Sequence, residues 1–178
     1  MVEEAKLEET PAGLQPTGDG WFVVNVGETA WMVHDAFGSG CVFESRQAAP
    51  FPELGINISV LEPGQPLCLY HEESAQEDFL VLAGECVLLV DGEERPLKAW
   101  DFVHCPPWTE HIFVGAGGGP CAILCVGART EGHGIRYPVS ELALRHEAGV
   151  SEEADTGRVA YADMPKTERG PYSEGLPE

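Results

Sequence analysis

His71-Glu72-Glu73-Ser74-Ala75-Gln76-Glu77-Asp78-Phe79-Leu80-Val81-Leu82-Ala83-Gly84 carries most of what the chain says about its architecture. His71 and Glu73 stand two apart, so on a strand both side chains leave the same face. Glu77 keeps that parity across an intervening turn, and Phe79, Val81 and Ala83 continue it. The product is a polar trio above an apolar floor, which is what a barrel mouth needs to hold a ligand. A second segment, Trp100-Asp101-Phe102-Val103-His104-Cys105-Pro106-Pro107-Trp108-Thr109-Glu110-His111, opens a later strand with an imidazole after a double-proline turn. The imidazoles of His71 and His111 and the carboxylates of Glu73 and Glu77 form a candidate divalent-metal site, with positions left for water or substrate.

The flanking sequence is β-prone throughout. Short runs at 21–26, 41–44, 56–61, 67–71, 78–83, 86–90, 101–105, 111–114 and 122–126 read as strands separated by Gly, Pro and Asp. That spacing argues for a sandwich or barrel, not a helical or α/β domain. Asp91-Gly92 between two such runs predicts a two-residue hairpin turn, because both positions need φ > 0. Gly84 reads as another tight turn, and Gly117-Gly118-Gly119 as a hairpin tip without the Lys and helix of a phosphate loop. Residues 1–20 read as an acidic N-terminal arm. Ser140 to His146 reads as a short helix capped by Ser140, with Gly149 beyond it. The acidic, Pro- and Gly-containing segment from 149 to 178 is either an ordered arm or a disordered tail.

Charge excludes whole classes of partner. Lys and Arg total 10 against 30 Asp and Glu, a net charge of −20 over 178 residues. Phosphate backbones and anionic membrane surfaces both repel such a chain. No stretch approaches the roughly 18 apolar residues of a spanning helix, and the acidic start lacks the basic region of a secretory signal. Cys41, Cys68, Cys86, Cys105, Cys121 and Cys125 form no C-x-x-C pair and lie mostly in apolar runs, so reduced buried thiols in a cytoplasmic protein are expected.

These motifs resemble the cupin superfamily. Its first motif runs Gly, five residues, His-x-His, three or four residues, Glu, six residues, Gly. Glu77 and Gly84 match its end, and three residues separate Glu73 from Glu77. His71 then takes the first histidine position and Glu73 the second. Counting from Gly64, or four residues back from Glu77, lands instead on Tyr70 and Glu72; the register with a real imidazole is preferred. The second motif, Pro-x-Gly, two residues, His, matches Pro106 to His111 with Trp108 in the glycine position. The resemblance covers residues 55–127, within a barrel domain over 21–130 and before an extension over 131–178.

The resemblance implies an all-β double-stranded β-helix (jelly-roll barrel), with an N-terminal strand extension and a short C-terminal helix and arm. It implies His71, Glu73, Glu77 and His111 around a divalent ion, with Glu standing where the second histidine is usual. This harder donor set suits Zn, Mn, Fe or Ni without choosing among them. Without metal, two carboxylates so close push one pKa upward, which makes Glu73 and Glu77 the candidate catalytic groups. Tyr70, Phe79, Trp108 and Phe113 are candidate pocket walls, though barrel aromatics are more often core. His104 reads as structural, and His34, His133 and His146 as surface or packing residues. Glu72, Glu73, Glu77 and Asp78 also fit a solvated acidic edge. Leu80 and Leu82, facing out, want cover, and a homodimer is the expected assembly. The function expected is a metal-dependent oxygenase, isomerase or decarboxylase acting on a small polar or carbonyl-containing molecule. The alternatives are a non-catalytic module for a sugar or organic acid, or a structural homo-oligomer.

Overall fold

The computed structural model describes residues 1–44 and 51–172. The strands are β1 (Leu7–Thr10), β2 (Gly13–Pro16), β3 (Ala30–Val33), β4 (Ser39–Val42), β5 (Leu54–Leu61), β6 (Glu72–Glu73), β7 (Glu77–Ala83), β8 (Glu85–Val90), β9 (Glu93–Lys98), β10 (Phe102–Cys105), β11 (His111–Ala116), β12 (Cys121–Ala128), β13 (Ile135–Arg136) and β14 (Glu168–Pro171). Two short helices, α1 (Glu141–Arg145) and α2 (Gly157–Ala160), follow β13. One sheet runs β10-β7-β12-β5-β4-β3-β14, and a second runs β11-β8-β9. All their pairings are antiparallel.

The two sheets face each other across an apolar interior. Phe79 and Val81 of β7, Leu61 of β5 and Ile123 of β12 meet Cys86 and Leu88 of β8 and Phe113 of β11. Along β7 burial alternates, with Phe79, Val81 and Ala83 inside and Asp78, Leu80 and Leu82 less covered. That is the period-two signature of a strand with one face on a core. The β8–β9 hairpin closes at Asp91 and Gly92, whose φ angles of 46° and 79° meet the turn's demand.

The extensions are built onto this frame. The acidic arm over residues 1–20 contains the β1–β2 hairpin, bridged to the body at Glu4–Trp21 and Leu14–Thr29. The run at 21–26 is not a strand: Trp21 makes one bridge, and Asn25 instead caps a 3₁₀ turn at Val26–Glu28. The run at 67–71 pairs only through bridges at Pro66–Val114 and His71–His111. Ser140 caps α1, its Oγ accepting from the Ala143 N–H at 3.2 Å. Beyond α1, residues 146–172 pack onto the body. Leu142, Ala143 and Ala148 cover Tyr70, Leu89, Ile112 and Val114, and β14 adds to the edge of β3. β11 is therefore buried on both faces. Among the described residues no helix is long and apolar enough to cross a membrane.

Candidate metal centre

His71 and His111 face each other across an antiparallel bridge. The His111 N–H donates to the His71 carbonyl at 2.9 Å, and the His71 N–H returns the bond at 3.3 Å. A directly opposed pair sends both side chains to one face, and the ring centroids stand 5.1 Å apart. Glu77 starts β7 on the facing sheet, with the tilted pair of Phe79 and Phe113 below, their ring centroids 4.7 Å apart. One donor atom from each of His71, Glu77 and His111 lies within 4.8 Å of the other two.

The hydrogen bonds set the tautomers. Nδ1 of His71 lies 2.7 Å from the Leu69 carbonyl, and Nδ1 of His111 lies 2.9 Å from the Thr109 carbonyl. A carbonyl only accepts, so each Nδ1 carries the proton and each neutral ring turns a bare Nε2 to the interior. Nε2 of His111 is 3.5 Å from Oε2 of Glu77, and Nε2 of His71 is 3.8 Å from Oε1 of Glu73. Lone pairs thus face carboxylate oxygens, an arrangement that a divalent cation or a proton on the carboxylate would satisfy. Burial, then the neighbouring His111, lowers the His71 pKa to about 4. Burial also lowers His111. Burial, then the charge of Glu73, raises Glu77 to about 8. Burial raises Glu73 too, against the pull of His133. The thiols of Cys68 and Cys105 are pushed up to about 12 by burial, so they stay protonated. The donor set is two imidazoles and a carboxylate, and it fits a divalent ion of intermediate hardness.

Glu73 lies outside the three-donor group, on β6. Its second oxygen, Oε2, is 3.3 Å from Nε2 of His133. The loop bearing His133 is clamped here: the Ser74 N–H donates to the Gly134 carbonyl, and the Gly134 N–H to Ser74 Oγ, both at 2.8 Å. His133 follows no motif, and only the fold brings it to Glu73.

The other candidates are dispersed. Phe79 and Phe113 form the floor below the histidines. Tyr70 does not join them: it packs beneath α1, with its hydroxyl buried on the side of Glu110 and Gly92. Trp108 is 44% exposed, stacks under Arg136 at 4.6 Å, and donates its backbone N–H to the Glu73 carbonyl at 2.7 Å. Its φ is 65°, the left-handed region that favours glycine, which accounts for glycine being usual at this motif position. His104 pairs with Asp78 at 2.7 Å directly across the strands, away from the core. His34 ties its neighbourhood to the Pro165 carbonyl at 2.8 Å.

Two cavities flank the centre. A smaller one, about 310 Å³, is lined by Glu73, His133, Gly55, Gly127, Arg129 and Thr130. A larger one, about 830 Å³, shares Gly55 and Arg129 but touches none of the four candidate donors. The smaller cavity is the one beside the chemistry.

Residues 57–127 match the cupin domain family. The chain is similar to a predicted oxalate decarboxylase from Thermotoga maritima, at 22% identity over 61% of this chain and 99% of that one, with a TM-score of 0.53. It is similar to the polyketide cyclase RemF from Streptomyces resistomycificus, at 14% identity over 60% of this chain and 78% of that one, with a TM-score of 0.51. A cupin sugar phosphate isomerase from Silicibacter pomeroyi is 24% identical over 72% of this chain and 80% of that one, with a TM-score of 0.49. No curated protein matches the chain. The barrel, the facing histidines and both motifs thus go with a cupin domain match over residues 57–127 and with the fold of cupin structures.

Proposed function

We propose that the protein is a metal-dependent enzyme acting on a small polar or carbonyl-containing molecule, with His71, Glu77 and His111 as metal ligands and Glu73 as the proton-transfer group. The observation that carries this reading is the pair of unprotonated Nε2 atoms facing carboxylate oxygens at 3.5 and 3.8 Å. A bound Zn, Mn, Fe or Ni ion would supply Lewis acidity toward a substrate oxygen. The chain supplies the rest. The bonds from Nδ1 to Leu69 and Thr109 keep both rings oriented. Phe79 and Phe113 keep water out from below. Glu73, with one oxygen toward His71 and the other toward His133, is placed to take a proton at Oε1 and hold it. Oxygenase, isomerase and decarboxylase chemistry all use such a set.

Elemental analysis of protein purified without a metal-affinity tag tests the reading. About one divalent ion per chain is expected, and it should be absent from the His71→Ala/His111→Ala variant. Sub-stoichiometric metal that the double substitution leaves unchanged would overturn it. A second reading, ligand binding without turnover, draws on the 830 Å³ cavity. It is favoured if a sugar or organic acid raises the melting temperature equally with and without metal.

Assembly as a homodimer in the cytoplasm completes the proposal. Phe102, Leu80, Leu124 and Ile58 lie in register across four strands of the larger sheet, with Ile58 at the end packed toward Trp31 and Cys41. Phe102 is 65% exposed, and a second copy is the cover proposed for this row. Light scattering that returns a monomer at micromolar concentration would remove the dimer.

A further inference from the structure

Arg129 follows β12 and stands where the two cavities meet, lining both. Its Nη1 is engaged: it donates to the Phe51 carbonyl at 2.6 Å and pairs with Glu44 at 2.9 Å. A guanidinium is planar, so holding one nitrogen on two partners orients the whole group. The other edge, Nε and Nη2, lies over Gly55. A methyl group placed on Gly55 would stand 3.5 Å from Nε and 3.6 Å from Nη2. Among the described residues, neither nitrogen has a partner. Nε–H and Nη2–H point in parallel, at the spacing of the two oxygens of a carboxylate. Among the described residues, a side chain at position 55 would stand against both nitrogens, and residue 55 is glycine.

We propose that the Nε/Nη2 edge of Arg129 anchors the carboxylate of the substrate, which makes the substrate class small carboxylic acids. The placement of the acid's reacting end beside Glu73 rests on the function proposed above; the anchor itself does not. Arg129 and Glu73 share the wall of the same 310 Å³ cavity, room for an acid of a few carbons. The scarcity of cations points the same way. The chain has 10 Lys and Arg against 30 acids, yet Arg129, Lys166 and His34 all line the larger cavity, and Arg129 and His133 the smaller. Glu44 is the one acidic residue lining the larger cavity among the described residues, and it is committed to Nη1. An anion entering a body of net charge −20 needs such a local reversal of sign.

Titration calorimetry with glycolate, pyruvate and malonate, each beside its neutral amide, tests the proposal. Metal content is measured on the same samples. At least one acid should bind and its amide should not. Arg129→Gln should weaken binding tenfold or more, and Arg129→Lys, which keeps charge without the fork, by less. Arg129→Gln also breaks the pair with Glu44, so Gly55→Val serves as the second variant. It leaves the guanidinium and Glu44 in place, puts methyl groups over the Nε/Nη2 edge, and should cause a similar loss. Metal content should be unchanged in all three. Acids that bind every variant within twofold of the parent overturn the proposal, as do amides that bind equally well or an absence of binding by all three acids. Arg129-dependent binding in protein that takes up no metal would keep the anchor and overturn the metal reading. Normal metal uptake without Arg129-dependent binding would do the reverse.

Discussion

Gly84 and Gly92 offer a controlled pair of substitutions. Both sit at the ends of hairpin strands in the same left-handed backbone region, with φ of 73° and 79°. Their surroundings differ. A methyl group on Gly84 would meet the Pro120 carbonyl oxygen at 2.5 Å, the Cys121 Cα at 2.7 Å and the Cys121 Cβ at 2.9 Å; one on Gly92 would meet nothing within 4 Å. Alanine at position 92 therefore carries the backbone penalty alone, roughly 1–2 kcal/mol. Alanine at position 84 carries that and the cost of displacing a packed strand end, about 1–3 kcal/mol more. Gly92→Ala should thus lower stability by about 1–2 kcal/mol, and Gly84→Ala by about 2–5 kcal/mol. Urea unfolding followed by tryptophan fluorescence reads both, and equal m-values would confirm that the denatured states match. If the two variants lose the same stability, the close approach of β12 to Gly84 is not what requires glycine there, and the account of the first motif's final residue fails.

Three further outcomes are expected. In chelator, the raised pKa of Glu77 stabilises the folded state fully below 4.5, and that contribution is lost as pH rises through about 8. His71, lowered from 6.5 to about 4, acts in the opposite sense between those values, so the window from 6.5 to 8 isolates the carboxylates. Across it the parent should lose about 2 kcal/mol more than Glu77→Gln in urea unfolding, and parallel pH profiles would contradict the assignment. Apparent Mn²⁺ affinity, followed by titration calorimetry, should rise over the same window as the competing proton leaves Glu77; a flat profile would remove Glu77 from the ligand set. Trp108→Gly should relieve left-handed strain of about 1–2 kcal/mol while losing the stack under Arg136. Its net change in urea unfolding should stay within about 1 kcal/mol, and a larger loss would show that Trp108 holds the β6 edge.

Strand periodicity and motif spacing carried the barrel and the three clustered donors, because both are short-range properties. A side chain two residues along a strand returns to the same face, so His71 fixes which neighbours can share its interior. The same rule explains Tyr70: one residue away, it points to the opposite face and ends beneath α1. Trp21 to Val26 shows the opposite limit, where a β-prone run gave way to a cap, Asn25, that accepts from the Gly27 N–H at 2.9 Å. His133 and Arg129 carried no local signal at all. Their positions depend on a loop held by Ser74 and on an ion pair with Glu44, contacts that join segments about 60 and 85 residues apart. The packing of residues 150–164 was equally hidden, since their cover for Leu69 and Phe37 comes from sparse apolar residues, among them Val150, Ala154 and Met164, spread through a polar stretch.

The hydroxyl of Tyr161 accepts a hydrogen bond from the Leu69 N–H at 3.0 Å, two residues before His71 and 92 residues away in sequence. Translation at roughly 5–20 residues per second separates these partners by roughly 5–18 s. Once His111 has been made, another 50 residues must follow before Tyr161 arrives to hold the chain leading into His71. Tyr161 also meets Phe37 at 5.7 Å and Tyr137 at 5.8 Å in edge-to-face contacts, so its arrival joins early, middle and late parts of the polypeptide at once. The histidine-bearing end of this barrel is therefore finished late in synthesis, after the chain has supplied His71, Glu77 and His111.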